Sequence, residues 1–189
     1  MQIIKEELLK FVDYQKNIRE LAYKNKNLGF DWNLNDFINL MRLLPPQNYG
    51  TRIENRIINK LNLKKIKANE NKGDCVDDDN NFIEIKASIV DNVNIFLNIA
   101  NIRNYQNLDY YLICCFDCRI NDKLKLYSFV LSKSEMINEC ELLNATAQIG
   151  TKESNLLNEN IEKRLSIEIN NKIFERWLKL YFVDLSDMI

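Results

Sequence analysis

Three charged side chains in one short segment have the types and spacing needed for metal-assisted chemistry. They are Asp74, which follows Gly73, and the pair Glu84 and Lys86 further along the chain. Alternate side chains of an extended strand lie on the same face, so Glu84 and Lys86 should point the same way. The polar run 77–81 has the composition of a hairpin turn, which would bring Asp74 beside Glu84.

Such a combination suits the cleavage of phosphodiester bonds. Two carboxylates at close range repel each other unless a cation lies between them, and Mg²⁺ uses one or two carboxylates while keeping several waters. Bound Mg²⁺ polarises a phosphate and lowers the pKa of its water, while a nearby lysine offsets the charge of the transition state. We therefore expect Asp74 and Glu84 to ligate Mg²⁺ and Lys86 to assist the attacking water.

The helices that must support this segment are predicted from apolar residues at three- and four-residue spacing. The first predicted helix covers 3–24, and the second is capped by Asn33 or Asn35 and stopped by Pro45–Pro46. The third opens at Gly50–Thr51, the fourth is capped by Ser132 and runs through Leu143, and the fifth covers 171–181. Glu135 stands at the capping-box position of the fourth helix. The third helix carries Glu54 directly before the charged segment.

Strand-like alternation begins after Leu63. The predicted strands are a short one at Ile66 and Ala68, a second at Cys75 and Val76, and others over 82–88, 92–99, 109–116, 124–131 and 163–169. The stretch 144–160 is polar and weakly periodic, and long ordered loops are often functional. We expect one α/β domain over 1–189, with N-terminal helices (1–62), a sheet core (63–131) and C-terminal helices with a long polar loop (132–189).

The segment from Gly73 to Lys86 resembles the active-site motif of PD-(D/E)xK nucleases, and the whole chain looks like a type II restriction endonuclease. Asp74 matches the first acid, Glu84 and Lys86 match the Glu-x-Lys, and Glu54 matches an acidic residue found on the preceding helix in many members. Gly73 stands where the pattern has proline. The resemblance implies a restriction-endonuclease-like core, a central mixed β-sheet flanked by α-helices. It also implies Mg²⁺ dependence, sequence-specific hydrolysis of double-stranded DNA leaving 5′-phosphates, and a homodimer.

Alternatives exist for both the residues and the function. Asp77, Asp78 and Asp79 are rival first acids, although acidic residues are ordinary in turns. Glu84 and Lys86 can instead form an ion pair on an exposed strand, worth under about 1 kcal/mol. The same fold also serves structure-specific repair or junction-resolving nucleases. A DNA-binding module without catalysis is a further alternative.

Contacts to DNA are sought among basic and amide side chains that flank the site, since phosphate contacts position a protein and base-edge contacts specify sequence. We expect backbone contacts from one basic face and base contacts from two other segments. The basic face comprises Arg52, Arg56, Lys60, Lys64 and Lys65. The other segments contribute Asn101, Arg103, Asn104, Tyr105 and Gln106, and Lys152, Asn155, Asn158 and Asn160.

Composition narrows the protein class. The net charge of −1 argues against a protein that coats nucleic acid nonspecifically. The chain has five cysteines and no histidine, which favours reduced thiols over a disulfide framework or a zinc site. Acidic residues interrupt the N-terminal segment, and no run approaches the roughly 20 apolar residues of a membrane span. We therefore expect a cytoplasmic protein that does not bind membranes.

Overall fold

The computed structural model describes residues 2–67, 71–119, 124–147 and 162–189, with the backbone alone described at 2–9, 11, 12 and 47. These residues form a mixed α/β structure with five helices and two sheets, so the predicted mixed central sheet is confirmed. The helices are α1 Gln2–Lys24, α2 Leu34–Met41, α3 Pro46–Lys60, α4 Lys133–Leu142 and α5 Lys172–Leu180. Within these residues, no helix combines the length and the apolar character needed to cross a membrane.

Local capping signals place the shorter helices. The Asn33 side chain accepts a hydrogen bond from the backbone N–H of Asp36 and begins α2. Ser132 and Glu135 form the predicted capping box that begins α4. The prediction for α3 was wrong at its start, because this helix begins at Pro46 and contains Gly50 in its interior. Proline suits the first helical position, where its missing N–H would have had no partner within the helix.

Eight strands are described. They are β1 Lys64–Lys65, β2 Cys75–Val76, β3 Phe82–Val90, β4 Phe96–Arg103, β5 Tyr110–Asp117, β6 Lys125–Ser132, β7 Thr146–Ala147 and β8 Glu162–Glu168. The first strand is shifted from its predicted place, and Ala68 lies outside the described residues. β4 begins later than predicted because Asp91 Oδ1 accepts hydrogen bonds from the N–H groups of Val93 and Asn94, which forms a turn.

The central sheet has the strand order β1-β2-β3-β5-β6. Neighbouring strands are antiparallel except β3 and β5, which run parallel with Glu84 opposite Tyr111 and Lys86 opposite Ile113. β4 connects these parallel strands and belongs to the second sheet, whose order is β4-β8-β7. A strand therefore lies in the crossover position, where an α-helix is usual.

Two compact units divide the chain, Met1–Ile53 and Glu54–Ile189. The first is helical, and its buried residues include Phe37, Ile38 and Met41. The second contains both sheets, α4 and α5, with a core in which Phe129 packs edge-to-face against Phe174 and Trp177. All of Asp74, Glu84, Lys86 and Glu54 belong to the second unit, so the candidate site lies within one unit.

Candidate active site

Asp74 lies directly before β2 and is held against the beginning of β3. Its backbone N–H donates to the carbonyl of Ile83 at 2.9 Å, and its Oδ2 accepts from the N–H of Ile85 at 2.8 Å. Both neighbours of Glu84 along the chain thus bind Asp74. The hairpin brings the first predicted acid to the strand that carries the second, as the sequence indicated.

The geometry at Gly73 explains why glycine stands where the resembled pattern has proline. Gly73 has φ +83°, whereas the proline ring fixes φ near −65°. A Cβ at this position would lie 2.7 Å from the carbonyl oxygen of Ile83. Only glycine allows the backbone to pass so close to β3 and so place Asp74 beside it.

Glu84 and Lys86 share one face of β3, as their spacing predicted. Lys86 Nζ lies 2.6 Å from Glu84 Oε1, and the two side chains are only 16% and 7% exposed. The ion pair of the alternative is therefore present, but it is largely buried and does not lie on an exposed strand. Burying two charges is costly, so such pairs are retained where geometry and further hydrogen bonds compensate for desolvation.

Negative charge exceeds positive charge around Asp74. Burial first, and then the negative charges of Glu84 and Glu54, raise the pKa of Asp74 to about 7, against opposing contributions from the Ile85 hydrogen bond and Lys86. Glu54, on α3, forms its own ion pair of 3.1 Å with Lys65. A cation bound beside Asp74 would relieve this imbalance.

The donor set fits Mg²⁺ better than a softer metal. Asp74 and Glu84 supply hard carboxylate oxygens. Gln106, whose Nε2 binds Glu84, also has a buried carbonyl oxygen, Oε1, with no hydrogen-bond partner among the described atoms. No set of three or more Asp, Glu or Cys side chains within the described ranges is grouped to hold a metal by itself. Mg²⁺ commonly uses one or two carboxylates and keeps several waters, so two acids are a ligand set of the usual kind.

Cys75 follows Asp74 but does not join the chemistry. Its thiol is fully buried, and burial together with the neighbouring carboxylates, led by Asp74, raises its pKa to about 12. A thiol with this pKa remains protonated at neutral pH and is neither a nucleophile nor a good metal ligand.

The rival acids organise the hairpin turn. Asp77 Oδ1 accepts hydrogen bonds from the N–H groups of Asn81 at 2.8 Å and Asp79 at 3.0 Å. The hydrogen bond from the Asn81 side chain is the main reason that the pKa of Asp77 is lowered. Asp78 and Asp79 are exposed. This arrangement favours Asp74 as the first acid.

The predicted basic face contains two buried arginines and three exposed lysines. Arg52 is 8% exposed and donates to the carbonyls of Asn25 at 3.1 Å and Lys26 at 2.8 Å, and also to that of Ala22. Arg52 therefore binds the carbonyl end of α1.

The second buried arginine of that face, Arg56, is 2% exposed and donates to the main-chain oxygen of Ile189. These internal contacts correct the prediction that Arg52 and Arg56 contact phosphates. Lys60, Lys64 and Lys65 remain exposed.

The segment 101–106, which covers the end of β4 and the turn after it, also departs from its predicted role. Arg103 forms a 2.7 Å ion pair with Glu162, and Gln106 is 5% exposed with its Nε2 donating to Glu84 Oε2 at 3.1 Å. Gln106 is thus corrected from a base-reading residue to a neighbour of the carboxylates. Tyr105 is 42% exposed, whereas Asn101 and Asn104 are half-buried. The remaining predicted contacts, Lys152, Asn155, Asn158 and Asn160, lie outside the described residues.

Two neighbours of the site were not predicted. Lys133 Nζ donates to the carbonyl of Gln106 at 2.6 Å, although nothing in the sequence distinguishes this lysine from other surface lysines. Tyr111 lies opposite Glu84 in the parallel ladder, and burial followed by the charge of Glu84 raises the pKa of its phenol. The sequence indicated only that Tyr111 belongs to an apolar strand.

Comparison with known families adds no assignment. The sequence matches no protein-family model, and no curated protein is significantly similar to it.

Proposed function

We propose that this protein is a Mg²⁺-dependent endonuclease that hydrolyses double-stranded DNA at specific sequences, in the manner of type II restriction endonucleases. The observation that carries the proposal is the grouping of half-buried Asp74 with buried Glu84 and half-buried Lys86 of β3, with negative charge in excess. An ion pair that served stability alone would have no need of a second, uncompensated carboxylate beside it.

Each residue has a role that its position supports. Asp74 and Glu84 would hold Mg²⁺ through carboxylate oxygens, with Glu54 supporting the same site. The ion would supply Lewis-acid activation of the phosphate and of a water molecule. The Lys86 ammonium, now paired with Glu84, would hold the attacking water and offset charge on the phosphate. Cleavage of the bond to the 3′ oxygen would leave a 5′-phosphate and a 3′-hydroxyl.

The finer parts of this proposal rest on the resemblance to PD-(D/E)xK nucleases. They are the restriction-endonuclease-like core and the homodimer that addresses both DNA strands. The proposed cytoplasmic location rests instead on the acidic residues that interrupt the N-terminal segment. The order of elements agrees with that resemblance, since an acid-bearing helix precedes the motif, Asp74 adjoins the second strand and Glu84 and Lys86 lie on the third. Exposed Lys60 and Lys64 are available for phosphate contacts.

Digestion of phage DNA of known sequence tests the proposal. Wild-type protein with Mg²⁺ should give discrete fragments with 5′-phosphate ends, and Lys86→Met should give none while Lys179→Met, altered at an exposed lysine of α5, cleaves normally. Cutting confined to branched or damaged substrates would instead assign repair or junction resolution. DNA binding without cleavage under any divalent ion would assign a binding module.

A further inference from the structure

Gln106 occupies an unusual position for an amide side chain. It lies in the turn after β4, only 5% exposed, and its Nε2 donates to Glu84 Oε2 at 3.1 Å. Lys86 binds the other carboxylate oxygen, so Glu84 is held from both sides. The Oε1 atom of the same amide is buried with no hydrogen-bond partner among the described atoms.

The turn that carries Gln106 is also held by hydrogen bonds from Lys133 and Asn71. Lys133 Nζ, at the beginning of α4, donates to the Gln106 carbonyl at 2.6 Å. Asn71 lies on the segment leading to Asp74, and its side-chain Nδ2 donates to the Tyr105 carbonyl at 3.1 Å. The backbone carbonyl of Asn71 accepts a hydrogen bond from the Asn107 N–H at 2.9 Å. The amide is therefore fixed relative to β3, α4 and the segment that carries the first acid.

A buried acceptor without a donor is unfavourable, and an apolar side chain would fill the same space without that cost. An amide at this point is explained if both of its ends are used, one by Glu84 and the other by a molecule that binds in the site. A water molecule is the donor that matches an amide oxygen beside carboxylates.

We propose that Gln106 is a positioning residue: its Nε2 fixes the orientation of the Glu84 carboxylate, and its Oε1 accepts a hydrogen bond from a water molecule held beside that carboxylate. The expectation that this positioning of Glu84 supports Mg²⁺ binding rests on the proposed function. The contact with Glu84 does not, because it is a direct hydrogen bond between two side chains. The two parts can therefore be tested separately.

Nuclear magnetic resonance of the metal-free protein tests the contact. The side-chain NH₂ of Gln106, assigned through its own backbone in ¹⁵N-labelled wild-type protein, should exchange with solvent more slowly than the exposed asparagine side chains. Its resonance should also shift in Glu84→Gln. Exchange as fast as that of an exposed amide would overturn the proposal, and this measurement requires no variant at Gln106 to fold.

Calorimetric titration with Mg²⁺ in the absence of DNA tests the consequence. Gln106→Met, which keeps the volume and removes the amide, should weaken Mg²⁺ binding about 10- to 100-fold. Asn92→Ala, at an exposed position of the turn before β4, should bind as wild type does. Wild-type affinity in a folded Gln106→Met would overturn the positioning role. If wild-type protein itself binds no Mg²⁺, the proposed function fails, while the exchange measurement still decides the contact with Glu84.

Discussion

The Oδ2 atom of Asp74 accepts a hydrogen bond of 2.8 Å from the backbone N–H of Ile85. β2 pairs with β3 only at Cys75–Ile83 and Val76–Phe82, so Ile85 lies beyond the end of β2. The carboxylate takes the place of the main-chain acceptor that a longer strand would have supplied. A short strand thus fixes an acidic side chain next to Glu84, and the functional geometry follows from the hairpin itself.

The conformation of Gly73 gives the first prediction. Gly73→Ala places a Cβ 2.7 Å from the Ile83 carbonyl at φ +83°, and a left-handed conformation alone costs a non-glycine residue about 1–2 kcal/mol. We expect a loss of at least about 2 kcal/mol, or roughly 4–8 °C in Tm, measured by calorimetry. Gly50→Ala is the control, because its Cβ meets no described atom within 4 Å and it lies inside α3. Gly50→Ala should raise the free energy of unfolding by about 0.5–1 kcal/mol. If Gly73→Ala is tolerated as well as Gly50→Ala, the close approach of Gly73 to the Ile83 carbonyl does not require glycine.

Asp74 makes the stability of the metal-free protein depend on pH. Its pKa rises from 3.8 to about 7 on folding, so the folded state binds the proton more tightly than the unfolded state. The stabilising contribution of the protonated carboxyl is fully present below about pH 4 and is lost as pH rises through 7. Asp74→Asn should therefore raise Tm above pH 7 and change it little at pH 4. A Tm difference that is the same at both values would contradict the raised pKa.

Binding of Mg²⁺ should be coupled to the loss of the same proton from Asp74. A carboxylate must lose its proton to ligate a metal, so each ion bound below pH 7 displaces the proton of Asp74. We expect the affinity measured by calorimetry to rise about tenfold per pH unit up to 7 and to level off above 8. Asp79→Asn, at an exposed position of the turn, should reproduce this profile. Affinity independent of pH between 5 and 7 would exclude Asp74 as a ligand that titrates near 7.

Local signals in the sequence predicted much of the secondary structure. Ser132 with Glu135, and Asn33 at α2, act through neighbours three residues away, and the alternation in β3 placed Glu84 and Lys86 on one face. The error at Pro46 arose because proline was expected to stop a helix, whereas its ring also suits the first position of one, and α2 itself ends at Met41 before either proline.

Contacts between residues that are distant in the sequence could not be predicted from local patterns. Arg52 has the character of a surface residue until the carbonyls at the end of α1 are placed around it. Gln106 belongs to a polar segment, and its burial depends on the turn being fastened by Lys133 and Asn71. The assignment of β4 to the second sheet is a choice of partner strand, which no local pattern specifies.

Two exposed lysines, Lys60 at the end of α3 and Lys64 in β1, give a prediction on DNA affinity. If Lys60 and Lys64 contact phosphates, each substitution by alanine should reduce the slope of log affinity against log salt by about 0.9. Lys179→Ala, on α5, should leave the slope unchanged. Binding measured at several salt concentrations in Ca²⁺, to prevent cleavage, gives both values. An unchanged slope in the Lys60→Ala/Lys64→Ala double variant would remove these residues from the DNA interface.

The initial rate of plasmid cleavage by two matched asparagine variants tests the central claim most directly. Asp74→Asn removes one proposed ligand, and Asp79→Asn removes an acid of equal charge from the exposed turn nearby. With Mg²⁺ present, Asp74→Asn should lower the rate by more than about 10³-fold, since loss of metal activation costs several kcal/mol, while Asp79→Asn should cleave as wild type does. Equal cleavage by both variants would contradict the account.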